Sequence, residues 1–453
     1  MKGDRNIALL WGSSTVSALG TAITFVALPL AAVVTLHVPA FEVGLLTAAG
    51  TAPWLLFGLV SGVWADRLPG RRLLVTCDLA RAAVLLSVPV AAAAGLLTLG
   101  QILGVAFVIG VSTVFFDVTF QSYVPALVSS GRLLWVNSRL EASAQVATVG
   151  GPALGGLLVQ ILGAPATLLT DMASYVISAA CLSMTGDRRT GAASAPAPGG
   201  QLAQIREGMA YVWTSSALRS LTLSATSFNL CQAGILTLQI VFLVRSVHVR
   251  PALVGVLIAA DGAGALLGAL ASSGLTRRLG SGRVVVLSVT AGPTFAVLMP
   301  LTTPGPGLLL FVTGMAGLAL FTAAFSVVAR VYRQITVPRH LLGRVTAVNR
   351  FVSWGGIPLG SLIAGALGSA IGVRPALWAV VVAQLVMTPL PVLLSPLRHT
   401  RDITAAPSQG GEAGHDDSRQ DAGGQLGAGQ ESMAAGQSTR IEDLGQSASI
   451  DRG

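Results

Sequence analysis

The sequence predicts an all-α polytopic membrane protein: twelve transmembrane helices in two six-helix halves, followed by a polar cytoplasmic tail. Three observations lead there. Only 10% of the 453 residues are charged and 53% are hydrophobic, whereas a soluble globular domain carries about 25% charged residues. Apolar runs of about 20 residues, each long enough to cross a bilayer as a helix, recur from end to end. One polar linker near the middle divides those runs into two sets.

The runs fall at roughly 7–36, 42–65, 73–96, 99–120, 140–162, 165–184, 218–244, 251–273, 283–301, 306–329, 346–370 and 373–396. The first, after Lys2 and Arg5, is too long for a signal-peptide core and lacks a small-residue cleavage site, so it reads as a span. The second and third are separated by the charged stretch GVWADRLPGRR. Arg132 and Arg139 precede the fifth, and Arg188 and Arg189 follow the sixth. The linker GDRRTGAASAPAPGGQLAQIREG is rich in Gly, Pro and Ala. Beyond it, Arg219 opens the seventh run, Arg277, Arg278 and Arg283 separate the eighth from the ninth, and Arg330 to Arg350 separate the tenth from the eleventh. The expected organisation is a first bundle over 1–184, a linker with an amphipathic helix over 185–217, a second bundle over 218–397 and a disordered tail over 398–453.

Charge sets the orientation. With the N-terminus inside, 22 Lys and Arg side chains lie at inner span ends, and only Arg245, Arg250 and Arg374 lie outside. The positive-inside rule then puts both termini in the cytoplasm. The net charge of +9 is the sum of a tail at −5 and a body at +14 whose charges sit at span ends. That distribution does not suggest a nucleic-acid partner. One Lys against 27 Arg suits a GC-rich bacterial genome, and hence a bacterial cytoplasmic membrane. Cys77, Cys181 and Cys231 lie in or beside apolar runs with no metal-binding or disulfide spacing.

The halves echo each other. GVWADRLPGRRLLV follows span two and SGLTRRLGSGRVVV follows span eight, while GGPALGG in span five has its counterpart in GGIPLGS in span eleven. Parallel six-span repeats are a transporter architecture, with the substrate path between them near the midplane.

Gly62, Asp66, Arg67, Gly70, Arg71 and Arg72 fit the pattern G-x-x-x-D-R-x-G-R-[RK] at all six fixed positions. With twelve spans in two halves, the chain resembles the major facilitator superfamily. The resemblance implies that this loop is a cytoplasmic gate which latches the halves in one state and releases them in the other. Arg277 stands where the acid would recur in the second half, which leaves that copy basic only. TCDLARAAVLL, GPALGG, TDMASYVISAACL and REGMAYVWTSSALRSL resemble the branch of macrolide-efflux proteins and the enterobactin exporter, over about residues 6–397. Gly151, Pro152, Gly155 and Gly156 resemble the exporters' antiporter signature, with Ala147 in place of its leading glycine. Small residues there allow close helix approach, and the proline adds a kink. Two departures bear on coupling. Thr21 follows Gly20 where relatives often carry Asp, and span four lacks an arginine.

An Asp at a helix centre costs about 2.5–3.5 kcal/mol on insertion scales, so each needs a partner or a purpose. Asp78 has Arg81 one turn on, and Glu141 follows Arg139 at a span start; both read as structural pairings. Asp117, Asp171 and Asp261 are the candidates for carrying a proton. Asp261 lies deep in span eight with no Lys or Arg within two turns.

The resemblance implies that spans one, four, seven and ten line a cavity. Ser14, Ser17, Thr21 and Thr24 share one helical face, as do Asn229, Gln232 and Gln239. Phe116, Phe120, Phe321 and Phe325 would add an aromatic wall. Such a mostly apolar site with a few polar groups suits a bulky amphiphile. The same stripes also fit interhelical hydrogen bonding.

No nucleotide-binding, hydrolase or metal motif occurs, and no cofactor is implied. The reading is a monomeric secondary transporter, not an enzyme, that exports a small amphiphile by alternating access with proton antiport. An uncoupled or uptake permease, or a membrane scaffold signalling through its tail, are the alternatives.

Overall fold

The computed structural model describes residues 2–58, 61, 68–128, 130–186, 201–400 and 402. No strand occurs among them. The first half comprises α1 (Lys2–Leu30), α2 (Ala40–Phe57), α3 (Gly70–Ala93), α4 (Leu99–Leu127), α5 (Ser130–Leu162) and α6 (Ala164–Ser183). After the linker helix α7 (Gln201–Thr214) come α8 (Ser216–Val241), α9 (Pro251–Leu279), α10 (Ser281–Ala296), α11 (Leu308–Thr336), α12 (Arg339–Ala370), α13 (Val373–Met387) and the one-turn α14 (Leu390–Leu393). Eleven of the described helices are long and apolar enough to cross a membrane.

The exception is α10, expected as a span over 283–301. It has 16 residues, about 24 Å, and gives way to three-residue turns: Val297, Leu298 and Met299 donate to the carbonyls of Thr294, Phe295 and Ala296. Pro300 explains the stop. Its ring collides with the carbonyl four residues back, that of Ala296, the last residue of the helix.

Packing repeats between the halves. In the first, α1 packs on α5 and α2 on α4; in the second, α8 packs on α12 and α9 on α11. Two crossings join them, α5 on α9 and α2 on α12. Both need glycine. A Cβ on Gly255 would lie 2.9 Å from Gly156 N, and one on Gly365 would lie 3.0 Å from Phe41 Cα.

The first helix of each half ends alike. A π turn follows α1 (Ala31–Thr35) and α8 (Phe242–Ser246). His37 (φ 55°) and His248 (φ 60°) then adopt left-handed backbone, a conformation uncommon outside glycine. Side chains close the same end of the bundle across the halves. Phe41 N donates to Ser369 Oγ (2.9 Å), Ala252 N to Gln160 Oε1 (3.3 Å) and Arg245 Nη2 to the Val38 carbonyl (2.8 Å).

The linker helix α7 packs on α12. Glu207 forms an ion pair with Arg344, and Tyr211 Oη donates to the Thr336 carbonyl (3.4 Å). The described residues of Met1–Ala406 form one compact unit. Residues 187–200 of the linker, and the expected tail apart from residues 398–400 and 402, lie outside the described residues.

Candidate substrate cavity

A cavity of about 500 Å³ lies between α1, α4, α5 and α9. Ser14, Ser17 and Thr21 of α1, Phe116, Asp117 and Phe120 of α4, Pro152 of α5 and Asp261 of α9 line it. So does Arg81, projecting from α3. The site thus combines an aromatic wall, hydroxyls, two carboxylates from opposite halves and one guanidinium.

Arg81 is the residue that sequence reasoning passed over. It was counted as an inner-end charge with a local partner, yet it is 3% exposed and stands in the cavity wall. The i,i+3 ion pair with Asp78 is present and fully buried. The guanidinium also lies 4.4 Å from the ring centroid of Phe116 and 4.3 Å from that of Tyr175. Cation–π contacts of this kind contribute about 2 kcal/mol or more when desolvated. The signal was available, because an arginine inside an apolar run is a functional candidate by default.

Asp117, half-buried, lies within electrostatic reach of Arg81 and of Arg350 of α12. Span four has no arginine of its own, so the positive charge beside its acid comes from α3 and from the other half. Asp261, also half-buried, has no hydrogen bond or ion pair to a described residue and opens onto the cavity.

Asp171 is placed differently. It is fully buried on α6, accepts a hydrogen bond from Ser174 Oγ (2.9 Å), and has Thr24 beside it. Gly20 of α1 presses against this pair; a Cβ there would lie 2.7 Å from Ser174 Cβ. One residue on, Thr21 shares a 3.0 Å hydrogen bond with Tyr175 Oη. The Thr21–Tyr175 bond therefore ties α1 to α6 behind the cavity wall, with Asp171 buried beside it.

The glycine-proline run of α5 serves two neighbours. Gly151 and Gly155 face Ala22 and Ile23 of α1, while Pro152 and Gly156 face Gly255 of α9. The run is the junction on which α1, α5 and α9 meet.

The polar stripe of α8 does not reach this cavity. Asn229 Nδ2 donates to the Ser353 carbonyl of α12 (2.9 Å), Gln232 is half-buried, and Gln239 is fully buried. Phe321 packs on Phe295, centroids 5.9 Å apart, and Phe325 lines a void of about 20 Å³ between α8, α10, α11 and α13. A separate cavity of about 520 Å³ lies where α2 meets α12. There Arg350 stands over Trp54 (4.5 Å) and Trp354 (4.4 Å), whose rings meet edge-on at 5.0 Å.

Of the gate-motif residues, Gly70 is buried at the start of α3 and Arg72 is exposed. Arg71 donates to the carbonyls of Ser183 (3.4 Å) and Thr185 (3.2 Å) at the end of α6. Gly62, Asp66 and Arg67 lie outside the described residues.

Comparison with known proteins fixes the family. Residues 4–415 match the family described as transmembrane secretion effector. The chain belongs to this family of major facilitator transporters. It is 28% identical over 414 residues to the multidrug efflux pump Tap of Mycolicibacterium fortuitum, covering 88% of this chain and 98% of that one. Tap of Mycobacterium tuberculosis (strain ATCC 25618 / H37Rv) is 26% identical over 412 residues, covering 85% and 93%. Among solved structures, the nucleoside transporter NupG (D323A mutant) matches with a TM-score of 0.73 at 13% identity, covering 86% of this chain and 99% of that one. A bacterial homologue of the iron transporter ferroportin in an inward-facing state matches with a TM-score of 0.68 at 15% identity, covering 86% and 98%. At these identities the structures share the fold alone. The family member described here is thus a multi-pass membrane transporter with multidrug efflux pumps among its relatives.

Proposed function

We propose that this transporter exports a small amphiphilic molecule from the bacterial cytoplasm by alternating access, driven by inward proton flow. One observation carries the reading: a cavity between the halves holds Asp117 and Asp261 from opposite sides among aromatic and aliphatic side chains. Apolar walls accept bulky rings, and the carboxylates accept either protons or the positive end of a substrate. Proton and substrate then compete for the same charge, which is the requirement for antiport. The relatedness to multidrug efflux pumps supports outward transport.

In this account the paired crossings α5–α9 and α2–α12 close one end while the gate loop closes the other. Contacts made in only one state set the balance between them. Both termini lie in the cytoplasm, the chain works as a monomer of two bundles in the cytoplasmic membrane, and Arg71 and Arg72 belong to the inner gate. Asp171 has a structural role within the first bundle.

Accumulation of amphiphilic dyes and drugs in a pump-deleted bacterial host tests the reading. Expression of the protein is expected to lower accumulation of at least one compound, and a protonophore to restore it. Unchanged accumulation across the panel, with the protein present in the membrane, overturns broad export; lowered accumulation that survives the protonophore overturns proton coupling.

A further inference from the structure

The cavity of about 520 Å³ between α2 and α12 shares no described lining residue with the one between α1, α4, α5 and α9. The two helices cross at a glycine contact, where a Cβ on Gly365 would lie 3.2 Å from Gly44 Cα. About 15 Å along each helix from that contact, Trp54 and Trp354 meet and the cavity begins. Each described lining residue is at least partly exposed, so the wall is not packed core. The volume falls within the range of about 300–1,000 Å³ that small-molecule pockets occupy.

Arg350, half-buried, is the charged residue among the described lining residues. Its guanidinium stands 4.5 Å from the ring centroid of Trp54 and 4.4 Å from that of Trp354. Ring contacts of this kind orient the cation and use none of its five N–H donors. Among the described residues Arg350 has no hydrogen bond and no ion pair. Its electrostatic partner, Asp117 of α4, lies beyond ion-pair distance and is also within reach of Arg81. Donors held in this way suit the two oxygens of a carboxylate, which a guanidinium fork binds in parallel. Leu55, Leu342 and Phe351 line the cavity with apolar surface, and Thr346, one turn before Arg350, adds a hydroxyl.

We infer that this cavity is a second ligand site, specific for an apolar carboxylate, in which Arg350 holds the carboxylate while Leu55, Leu342 and Phe351 cover the apolar body. Its charge is the reverse of that in the other cavity, where Asp117 and Asp261 are the acids. The inference is independent of what that other cavity carries. Asp117 competes with the ligand for the charge of Arg350, so an acid bound here is felt at the carboxylate that lines the other cavity.

Equilibrium binding of radiolabelled 1-naphthylacetate to the purified full-length protein tests this, with 1-naphthylacetamide as the uncharged counterpart. The wild type is expected to bind the acid about tenfold more tightly than the amide, the gain of one charge-assisted pair. Arg350→Gln should abolish that preference. Asp117→Asn removes the competing carboxylate and should tighten the acid about threefold while leaving the amide unchanged. Ala347→Phe fills the cavity with Arg350 and its two rings kept, and should weaken acid and amide alike, which covers an Arg350→Gln protein that fails to fold. Equal binding of acid and amide by the wild type overturns the site, as does acid binding that Ala347→Phe leaves unchanged. Displacement of the acid by inorganic phosphate at equal concentration makes this a site for simple anions and overturns the apolar carboxylate.

Discussion

The Arg81 guanidinium of α3 lies 4.3 Å from the ring centroid of Tyr175 on α6, and the Tyr175 hydroxyl in turn bonds Thr21 of α1 at 3.0 Å. Three helices of the first half thus converge on one buried cation that also forms part of the wall of the cavity between α1, α4, α5 and α9. Its partner Asp78 is equally buried.

Structure and function separate at this pair. Arg81→Ala leaves Asp78 as an unpaired buried charge and should cost about 3–5 kcal/mol, read as a fall in thermal unfolding temperature in detergent. Asp78→Leu/Arg81→Leu removes both charges and should recover most of that stability, because a buried pair replaced by apolar residues is often neutral. Transport should stay lost in the double variant, since a cation within electrostatic reach of Asp117 is gone. Recovery of transport along with stability would make Arg81 purely structural.

Asp117 and Asp261 should carry the coupling. In proteoliposomes, substrate-induced proton release is expected to fall at least tenfold in Asp117→Asn and in Asp261→Asn. Binding of an uncharged amphiphile should change less than about threefold, because shape and apolar area are kept. Asp171→Asn should act on stability first, since that carboxylate accepts a bond from Ser174 behind the wall and does not line the cavity.

The glycine crossings should govern which end is open. A Cβ on Gly255 meets Gly156 N at 2.9 Å, and backbone cannot move aside as a side-chain tip can. Gly255→Val is therefore expected to disfavour the closed crossing by about 1–3 kcal/mol. Cysteines at Gln160 and Ala252, adjacent at this end, should crosslink readily in the parent and severalfold less with the valine present. Unaltered crosslinking would remove the crossing from the gating account.

The tail should be dispensable, provided the cut spares one residue. Asp402 Oδ1 accepts from Ser281 N at 3.0 Å, at the N-terminus of α10, where a carboxylate contributes about 0.5–2 kcal/mol. Truncation after Ala406 should keep both activity and unfolding temperature. Truncation after Thr400 should lower the unfolding temperature by a few degrees without abolishing efflux.

Spans and family were legible because hydropathy, positive-inside charge and the loop motif each respond to the bilayer, a strong and one-dimensional constraint. The boundary of α10 was not, since its end is decided by Pro300 acting on Ala296 within a run that stays apolar. The cavity was half legible. Ser17, Thr21, Phe116, Asp117 and Asp261 do converge on it, because α1, α4 and α9 present those faces inward. The α8 stripe turned instead to neighbouring helices, as Asn229 does to Ser353; side-chain period alone does not distinguish a cavity from a helix contact. Arg81 was missed as a cavity residue because its charge was tallied as topology. A further repeat also went unread: His37, Val38, Val43 and Gly44 recur as His248, Val249, Val254 and Gly255. It encodes the left-handed histidine and the glycine crossing in each half.

Proton-driven efflux by the purified protein is the most direct test. Reconstituted into proteoliposomes with an imposed pH gradient, the wild type should move a cationic amphiphilic dye against the proton flux, and dissipating the gradient should stop it. The Asp117→Asn/Asp261→Asn double variant, folded and at equal density, should not respond to the gradient. Dye movement that ignores the gradient in the wild type, or that persists in the double variant, would contradict the account.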